Sequence, residues 1–95
     1  MQNSITVEEL KMLIPKAKII DIRDNYEFNL GSIPTSINIP MNFLITNPDS
    51  YLKRGEEYFI YCEYGSRSKV VCNELRRKGY NTVNVLGGYN EYKLK

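Results

Sequence analysis

The 95 residues of this chain are 42% hydrophobic and 25% charged, which is the composition of one ordinary globular domain, expected to span residues 1–95. The net charge of +2 is small and scattered, and no apolar run reaches the length of a membrane span, which argues against nucleic-acid and membrane partners. The absence of histidine and the presence of only two cysteines exclude a histidine metal site, a Ser-His-Asp triad and a disulfide framework, and with no secretory signal they indicate a reducing cytoplasm.

The first half of the chain begins with a helix signal. Thr6 and Glu9 have the spacing of a capping box, apolar residues follow at helical spacing, and Pro15 is expected to end the helix. The elements predicted next are a buried strand at 18–22 (KIIDI), a short helix at 24–31, a short strand at 36–39 (SINI), and a helix in pieces at 42–54, broken at Pro48.

The second half contains the clearest strand and the longest helix. Glu57–Tyr61 (EYFIY) is rich in strand-forming residues, and Val71 and Leu75 lie four residues apart on a predicted helix at 66–78. A strand at 81–86 (NTVNVL) and a short helix after Gly87-Gly88 complete the predicted elements. Because strands and helices alternate, the predicted fold class is α/β with a mainly parallel sheet.

In such a sheet, ligands bind beyond the carboxyl ends of the strands. Two of the predicted strands end at Ile22 and Tyr61. We therefore expect residues 23–24 and residues 62–68 to converge.

Cys62 has the sequence context of a reactive thiol. It lies between a strand and a helix, in a loop whose backbone N–H groups, together with the helix dipole, stabilise an anion. Gly65 permits an unusual backbone conformation, Arg67 adds a cation, and Ser68 can donate a hydrogen bond to the sulfur. These features lower the pKa of a thiol and favour a nucleophile.

Packing is the alternative role for each cysteine, because cysteine is among the most frequently buried residue types. For Cys62 the complete Cys-x-x-Gly-x-Arg-Ser pattern favours the nucleophile over packing. Cys72 lies in mid-helix without such a loop, so we expect a packing residue, with a resolving thiol as the alternative.

Several polar residues near these strand ends can have more than one structural role. Asp21 lies inside a strand, where aspartate is disfavoured, and its carboxylate needs partners such as loop N–H groups or Arg23. Arg23 and Asp24 can also form a merely exposed ion pair. Glu63 places a negative charge in an anion-binding loop and argues against a small, highly charged substrate, whereas Tyr64 can shape the mouth of the site.

Three segments resemble the signatures of the rhodanese-like single-domain sulfurtransferases, in the family's order. These segments are IIDIRDNYEFNLGSIPTSINIP at 19–40, CEYGSRS at 62–68 and GYNTVNVLGGYNEY at 79–92. The chain departs from the family pattern at Ser32, where histidine is frequent, and at Tyr92, where tryptophan is usual.

The resemblance implies a five-stranded, mainly parallel sheet flanked by helices on both faces. It also implies a ping-pong reaction without metal or cofactor, in which Cys62 takes the outer sulfur of a donor such as thiosulfate, holds it as a persulfide and passes it to cyanide or a thiol. Asp21 and Arg23 would brace the site, and Arg67 would bind the donor anion. The residues implied in binding the substrate or persulfide are Glu63, Tyr64, Gly65, Ser66, Arg67 and Ser68.

Two alternatives share this architecture. Phosphatases and arsenate reductases of the fold have five residues between cysteine and arginine, whereas Glu63 to Ser66 are four, a smaller loop that suits one extra sulfur. A persulfide carrier, receiving sulfur from one protein and delivering it to another, would share every motif while turning over little thiosulfate. No further domain is expected beyond Lys95.

Overall fold

Five parallel strands form one sheet in the computed structural model, which describes residues 3–95. The strands are β1 (Ser4–Ile5), β2 (Ile19–Asp21), β3 (Ile37–Asn38), β4 (Glu57–Tyr61) and β5 (Asn81–Val85), in the order β1-β5-β4-β2-β3. The helices are α1 (Val7–Lys11), α2 (Asn25–Leu30), α3 (Met41–Thr46), α4 (Ser66–Arg77) and α5 (Gly88–Leu94), with a single 3-10 turn at Pro48–Ser50. The predicted α/β class is confirmed, and every strand pair in the sheet is parallel.

The central strand β4 divides the core into two layers. Successive side chains of a strand point to opposite faces, so Tyr58 and Ile60 face one layer and Phe59 and Tyr61 face the other. The first layer contains buried residues of α3 and α4, and the second contains those of α1 together with tyrosines of α5. Helices therefore cover both faces of the sheet, as predicted.

The amino-terminal part of the chain departs from prediction in two ways. Strand β1 was not expected, and it pairs with β5 through Ser4 opposite Asn84 and Ile5 opposite Val85. A strand of two residues is too short to show alternation, so only its pairing partner identifies it. Helix α1 ends at Lys11 rather than at Pro15, because the Met12 N–H bonds the carbonyls of Glu9 and Leu10 in a tightened last turn.

The pairing of β2 with β4 brings the two predicted segments together. Asp21 lies opposite Tyr61, and the Ile22 N–H donates to the Tyr61 carbonyl at 3.0 Å. Ile22 and Cys62 therefore leave the sheet side by side at its carboxyl edge, and Arg23 and Glu63 follow them as an ion pair.

Within residues 3–95, no helix is long and apolar enough to cross a membrane. The same part of the chain contains no cluster of three or more side chains suited to hold a metal ion.

Candidate functional site

The sulfur of Cys62 sits in a cradle of hydrogen-bond donors. The backbone N–H groups of Gly65 and Ser68 point at Sγ from 3.2 Å and 3.3 Å, and the Ser68 hydroxyl lies 3.4 Å away. Gly65 has a φ of +93°, and a Cβ there would lie 3.0 Å from the backbone nitrogen of Gly87. Glycine is therefore required at this position both by conformation and by space.

The cradle makes Cys62 more acidic than an ordinary thiol. Burial alone raises the pKa of the thiol, but the hydrogen bond with the Ser68 side chain and those from the amides of Ser68, Gly65 and Tyr64 outweigh it and lower the pKa. Since the thiolate is the nucleophilic form, these donors favour reaction at this sulfur.

Asn84 on β5 supports the cradle from behind and was not singled out from the sequence. Its side-chain Nδ2 donates to the Gly65 carbonyl at 3.1 Å, and its Oδ1 accepts a short hydrogen bond of 2.5 Å from the Ser68 hydroxyl. The bond to Gly65 fixes the orientation of the amide, so the Ser68 hydroxyl donates to Asn84 and accepts from the Cys62 thiol. Once Cys62 is a thiolate, it competes with Asn84 for the single hydroxyl proton of Ser68. An asparagine at a buried, strand-forming position was the sequence signal for this role.

Asp21 and Arg23 form a buried pair beneath the loop. The Arg23 N–H and guanidinium both donate to the Asp21 carboxylate, with the shortest contact 2.7 Å from Nη2 to Oδ2. Arg23 also donates to the Gly31 carbonyl at 2.6 Å. The exposed ion pair of Arg23 with Asp24 is thus wrong, because Arg23 turns inward to satisfy the fully buried Asp21.

The carboxylate of Glu63 lies close to two basic side chains. Its carboxylate pairs with Arg23 at 3.1 Å and approaches Lys93 of α5 at 3.8 Å. The negative charge that the sequence places in the anion-binding loop is therefore balanced by cations from two other segments.

Helix α5 docks its first turn against the backbone of the loop. The Tyr89 N–H donates to the Cys62 carbonyl at 2.9 Å, and the Asn90 N–H donates to the Glu63 carbonyl at 2.8 Å. A Cβ at Gly88 would lie 2.4 Å from the Cys62 carbonyl oxygen. From the sequence, Gly87-Gly88 was expected only to precede the last helix, and its second role is to let the two backbones approach this closely.

A pocket of about 620 Å³ opens above Cys62. Tyr64, with 68% of its surface exposed, and Arg67 lie on its rim, and Met41 and Pro40 line another wall. Within the described part of the chain, Arg67 forms no ion pair, so its guanidinium is available to an anion.

Cys72 has a different environment. It is fully buried in α4, its carbonyl accepts a hydrogen bond of 2.9 Å from the Thr82 hydroxyl, and it does not line the pocket of Cys62. Burial raises the pKa of Cys72 to about 11. Both cysteines are free thiols.

Comparison with known proteins gives a consistent family. A model described as the rhodanese-like domain matches residues 6–95. A sulfurtransferase of Allochromatium vinosum is 34% identical over 92 residues, covering 93% of this chain and 85% of that protein. The structure of SSP1007 from Staphylococcus saprophyticus has a TM-score of 0.87 at 41% identity, covering 97% of this chain and 93% of that one. A human single-domain sulfurtransferase has a TM-score of 0.88 at 25% identity, with 100% and 98% coverage.

Several relatives are much longer than this chain. It spans 34% of a rhodanese-like/PpiC domain-containing protein of Arabidopsis thaliana and 14% of a tRNA sulfurtransferase of Thermoplasma acidophilum. The relatives support sulfur transfer as the general class of activity, in proteins of very different length.

Proposed function

The chain belongs to the rhodanese-like domain family, and on that premise we propose that Cys62 transfers sulfane sulfur through a persulfide. The observation that carries the proposal is the cradle, in which two backbone N–H groups converge on a sulfur of lowered pKa at a pocket floor. The donor would be a small sulfur compound such as thiosulfate, and the acceptor would be cyanide or a thiol.

In the first step the Cys62 thiolate attacks the outer sulfur of thiosulfate. A bond forms between Sγ and that sulfur, the sulfur–sulfur bond of thiosulfate breaks, and its electron pair leaves with sulfite. In the second step the acceptor attacks the outer sulfur of the persulfide, and Cys62 leaves as the thiolate. No net oxidation of the protein occurs over the cycle.

The surrounding residues would bind different parts of the donor and of the persulfide. Arg67 would hold the donor anion at the rim, while the amides of the Glu63–Ser68 segment would bind the negative charge that stays on the thiolate or persulfide. Asp21 and Arg23 would keep the loop in place from below, because their pair connects β2 to Glu63.

Intact-protein mass spectrometry tests the proposal directly. After incubation with thiosulfate and removal of the excess, we expect the protein to gain one sulfur atom, and to lose it with release of thiocyanate when cyanide is added. The gain should vanish in Cys62→Ser and persist in Cys72→Ser, a matched variant at the other free thiol. Equal loss in a folded Cys72→Ser protein would contradict a mechanism that uses one cysteine.

A persulfide carrier is the second candidate. The pocket of Cys62 is also lined by Asp24 and Glu27, whose carboxylates repel a dianion such as thiosulfate. Relatives named tRNA sulfurtransferase and adenylyltransferase and sulfurtransferase are the kind of longer protein in which such a relay is expected. Faster loading of Cys62 from a persulfide-bearing cysteine desulfurase than from thiosulfate would favour the carrier, and the reverse order would favour the enzyme.

A further inference from the structure

The pocket above Cys62 has an unusual balance of charges for a site that handles anions. Its lining includes two arginines, Arg23 and Arg67, and three carboxylates, Asp24, Glu27 and Glu63. Arg23 is already engaged by Asp21 and Glu63. Among the described residues, Asp24 and Glu27 form no ion pair, although each side chain accepts a backbone N–H in the capping box that begins α2. The pocket is therefore lined by two carboxylates without a cationic partner and by one guanidinium without an anionic partner, that of Arg67.

The hydrogen-bond donors of the loop do not reverse this balance for an incoming molecule. The N–H groups of Gly65 and Ser68 point at the sulfur of Cys62 itself. They stabilise the one negative charge of the bound thiolate or persulfide, and a second anion gains nothing from donors that are already engaged. The charge near the outer sulfur is then set by Asp24, Glu27 and Arg67.

We propose that this pocket selects its sulfur acceptor by charge and takes a thiol with a cationic group close to its sulfur, such as a cysteine beside a lysine or arginine. The proposal rests on the function proposed above, because it concerns the second half of that reaction. The acceptor thiolate attacks the outer sulfur of the Cys62 persulfide, the bond between the two sulfurs of the persulfide breaks, Cys62 leaves as the thiolate, and the acceptor becomes a persulfide. The cationic group of the acceptor lies against Asp24 and Glu27 during this attack.

Three small thiols of similar size test the proposal, because beside the reacting thiolate cysteamine carries an ammonium group, 2-mercaptoethanol carries no charge, and 2-mercaptoethanesulfonate carries a sulfonate. Cys62 is loaded with sulfur from polysulfide, the excess is removed, and the rate of persulfide loss is measured with each thiol in single-turnover experiments. The rates are compared between the wild type and the double variant Asp24→Asn/Glu27→Gln, because the ratio for each thiol cancels its intrinsic reactivity. Both substitutions keep an oxygen acceptor, and Glu27 accepts from the Asp24 N–H.

Relative to 2-mercaptoethanol, which carries only the thiolate charge common to all three, the double variant should react roughly fivefold faster with the sulfonate and roughly fivefold slower with cysteamine, taking two carboxylates about 8 Å from a unit charge in water. These differences between the thiols should shrink as salt is added. Glu56→Gln/Glu57→Gln removes the same charge at the amino end of β4, opposite the pocket, and should leave all three rates unchanged.

The two proposals fail in different ways. If the loaded protein transfers sulfur to all three thiols with variant-to-wild-type ratios that do not depend on charge, the selection of a cationic acceptor is overturned while the sulfur transfer stands. If no thiol removes sulfur from loaded Cys62, the proposed function fails as well. Equal effects in both double variants would mean that net charge alone acts, and this too overturns the selection by the pocket.

Discussion

The guanidinium of Arg23 binds both carboxylate oxygens of Asp21, two residues earlier in the chain, and the two side chains are 5% and 0% exposed. The same guanidinium lies 4.3 Å from the centre of the Tyr89 ring and pairs with Glu63. Hydrogen bonds with Asp21 and Glu63 raise the pKa of Arg23 even though burial opposes this. Strand β2, the loop of Cys62 and helix α5 therefore meet on one permanently charged side chain.

Replacing Arg23 with methionine should destabilise the protein by about 3–5 kcal/mol, because it leaves the Asp21 carboxylate buried without its cation. Urea unfolding followed by circular dichroism measures the change. Arg54→Met is the matched control, since Arg54 is exposed in its pair with Asp49 and should cost less than about 1 kcal/mol. Equal losses of unfolding free energy in both variants would show that the buried ion pair stabilises the protein no more than the exposed one.

Ser68→Ala should move the ionisation of Cys62 to higher pH. The hydroxyl is the largest of the contributions that lower the pKa of Cys62, and without it the burial of the sulfur counts for more. Because only the thiolate is alkylated, the rate of reaction with iodoacetamide should rise with pH. The midpoint of this rise should lie at lower pH in the wild type than in free cysteine, and at higher pH in the variant than in the wild type. Ser50→Ala, in the remote 3-10 turn, should leave the curve in place. A wild-type midpoint at the same pH as that of free cysteine, or at a higher pH, would contradict the role of the cradle.

Asn84→Ala should lower the stability of the protein without raising the pKa of Cys62. The Gly65 carbonyl loses one of its two donors and keeps the Lys69 N–H at 3.2 Å, so the cost should be about 0.5–1.5 kcal/mol. The Ser68 hydroxyl, no longer held by Asn84, becomes fully available to the sulfur, so the pKa of Cys62 should fall or stay constant.

Asn81, on the same strand, provides the control for Asn84. Its side-chain oxygen is buried without a hydrogen-bond partner within the described residues, so Asn81→Ala should cost little stability. Thermal unfolding measures the change in stability, and the alkylation curve measures the change in the pKa of Cys62. A rise in the pKa of Cys62 in Asn84→Ala would show that Asn84 does not compete with Cys62 for the Ser68 proton.

Gly88→Ala should displace the loop of Cys62. The added methyl would meet the Cys62 carbonyl at 2.4 Å, so overpacking of about 1–3 kcal/mol adds to the cost of the left-handed backbone conformation. Gly55→Ala shares a positive φ but has open space around it, and should show only the conformational cost of about 1–2 kcal/mol. Chemical unfolding measures both, and Cys62 alkylation should change only in Gly88→Ala.

The elements that the sequence predicts best are those with a local physical cause. Strand β4 has the predicted bounds because its aromatic and β-branched residues favour a strand and its neighbours on either side do not. Helix α4 begins at the predicted residue because Gly65 breaks the backbone before it, and Gly79 follows its end. The Cys-x-x-Gly-x-Arg-Ser spacing likewise locates the loop of Cys62 without reference to the rest of the chain.

Only the tertiary structure decided which distant residues support that loop. Asn84 is unusual in the sequence as a polar residue in a buried strand, but nothing there connects it or Lys93 with Cys62, because their contacts depend on the pairing of β5 and the docking of α5. In the sequence, Glu63 is an unbalanced negative charge in the loop. In the structure, the parallel pairing of β2 and β4 brings Arg23, 40 residues away in sequence, beside it. Backbone propensity and spacing act over a few residues and determine the elements and the reactive loop, whereas the burial and neutralisation of charge depend on neighbours that exist only once the sheet has formed.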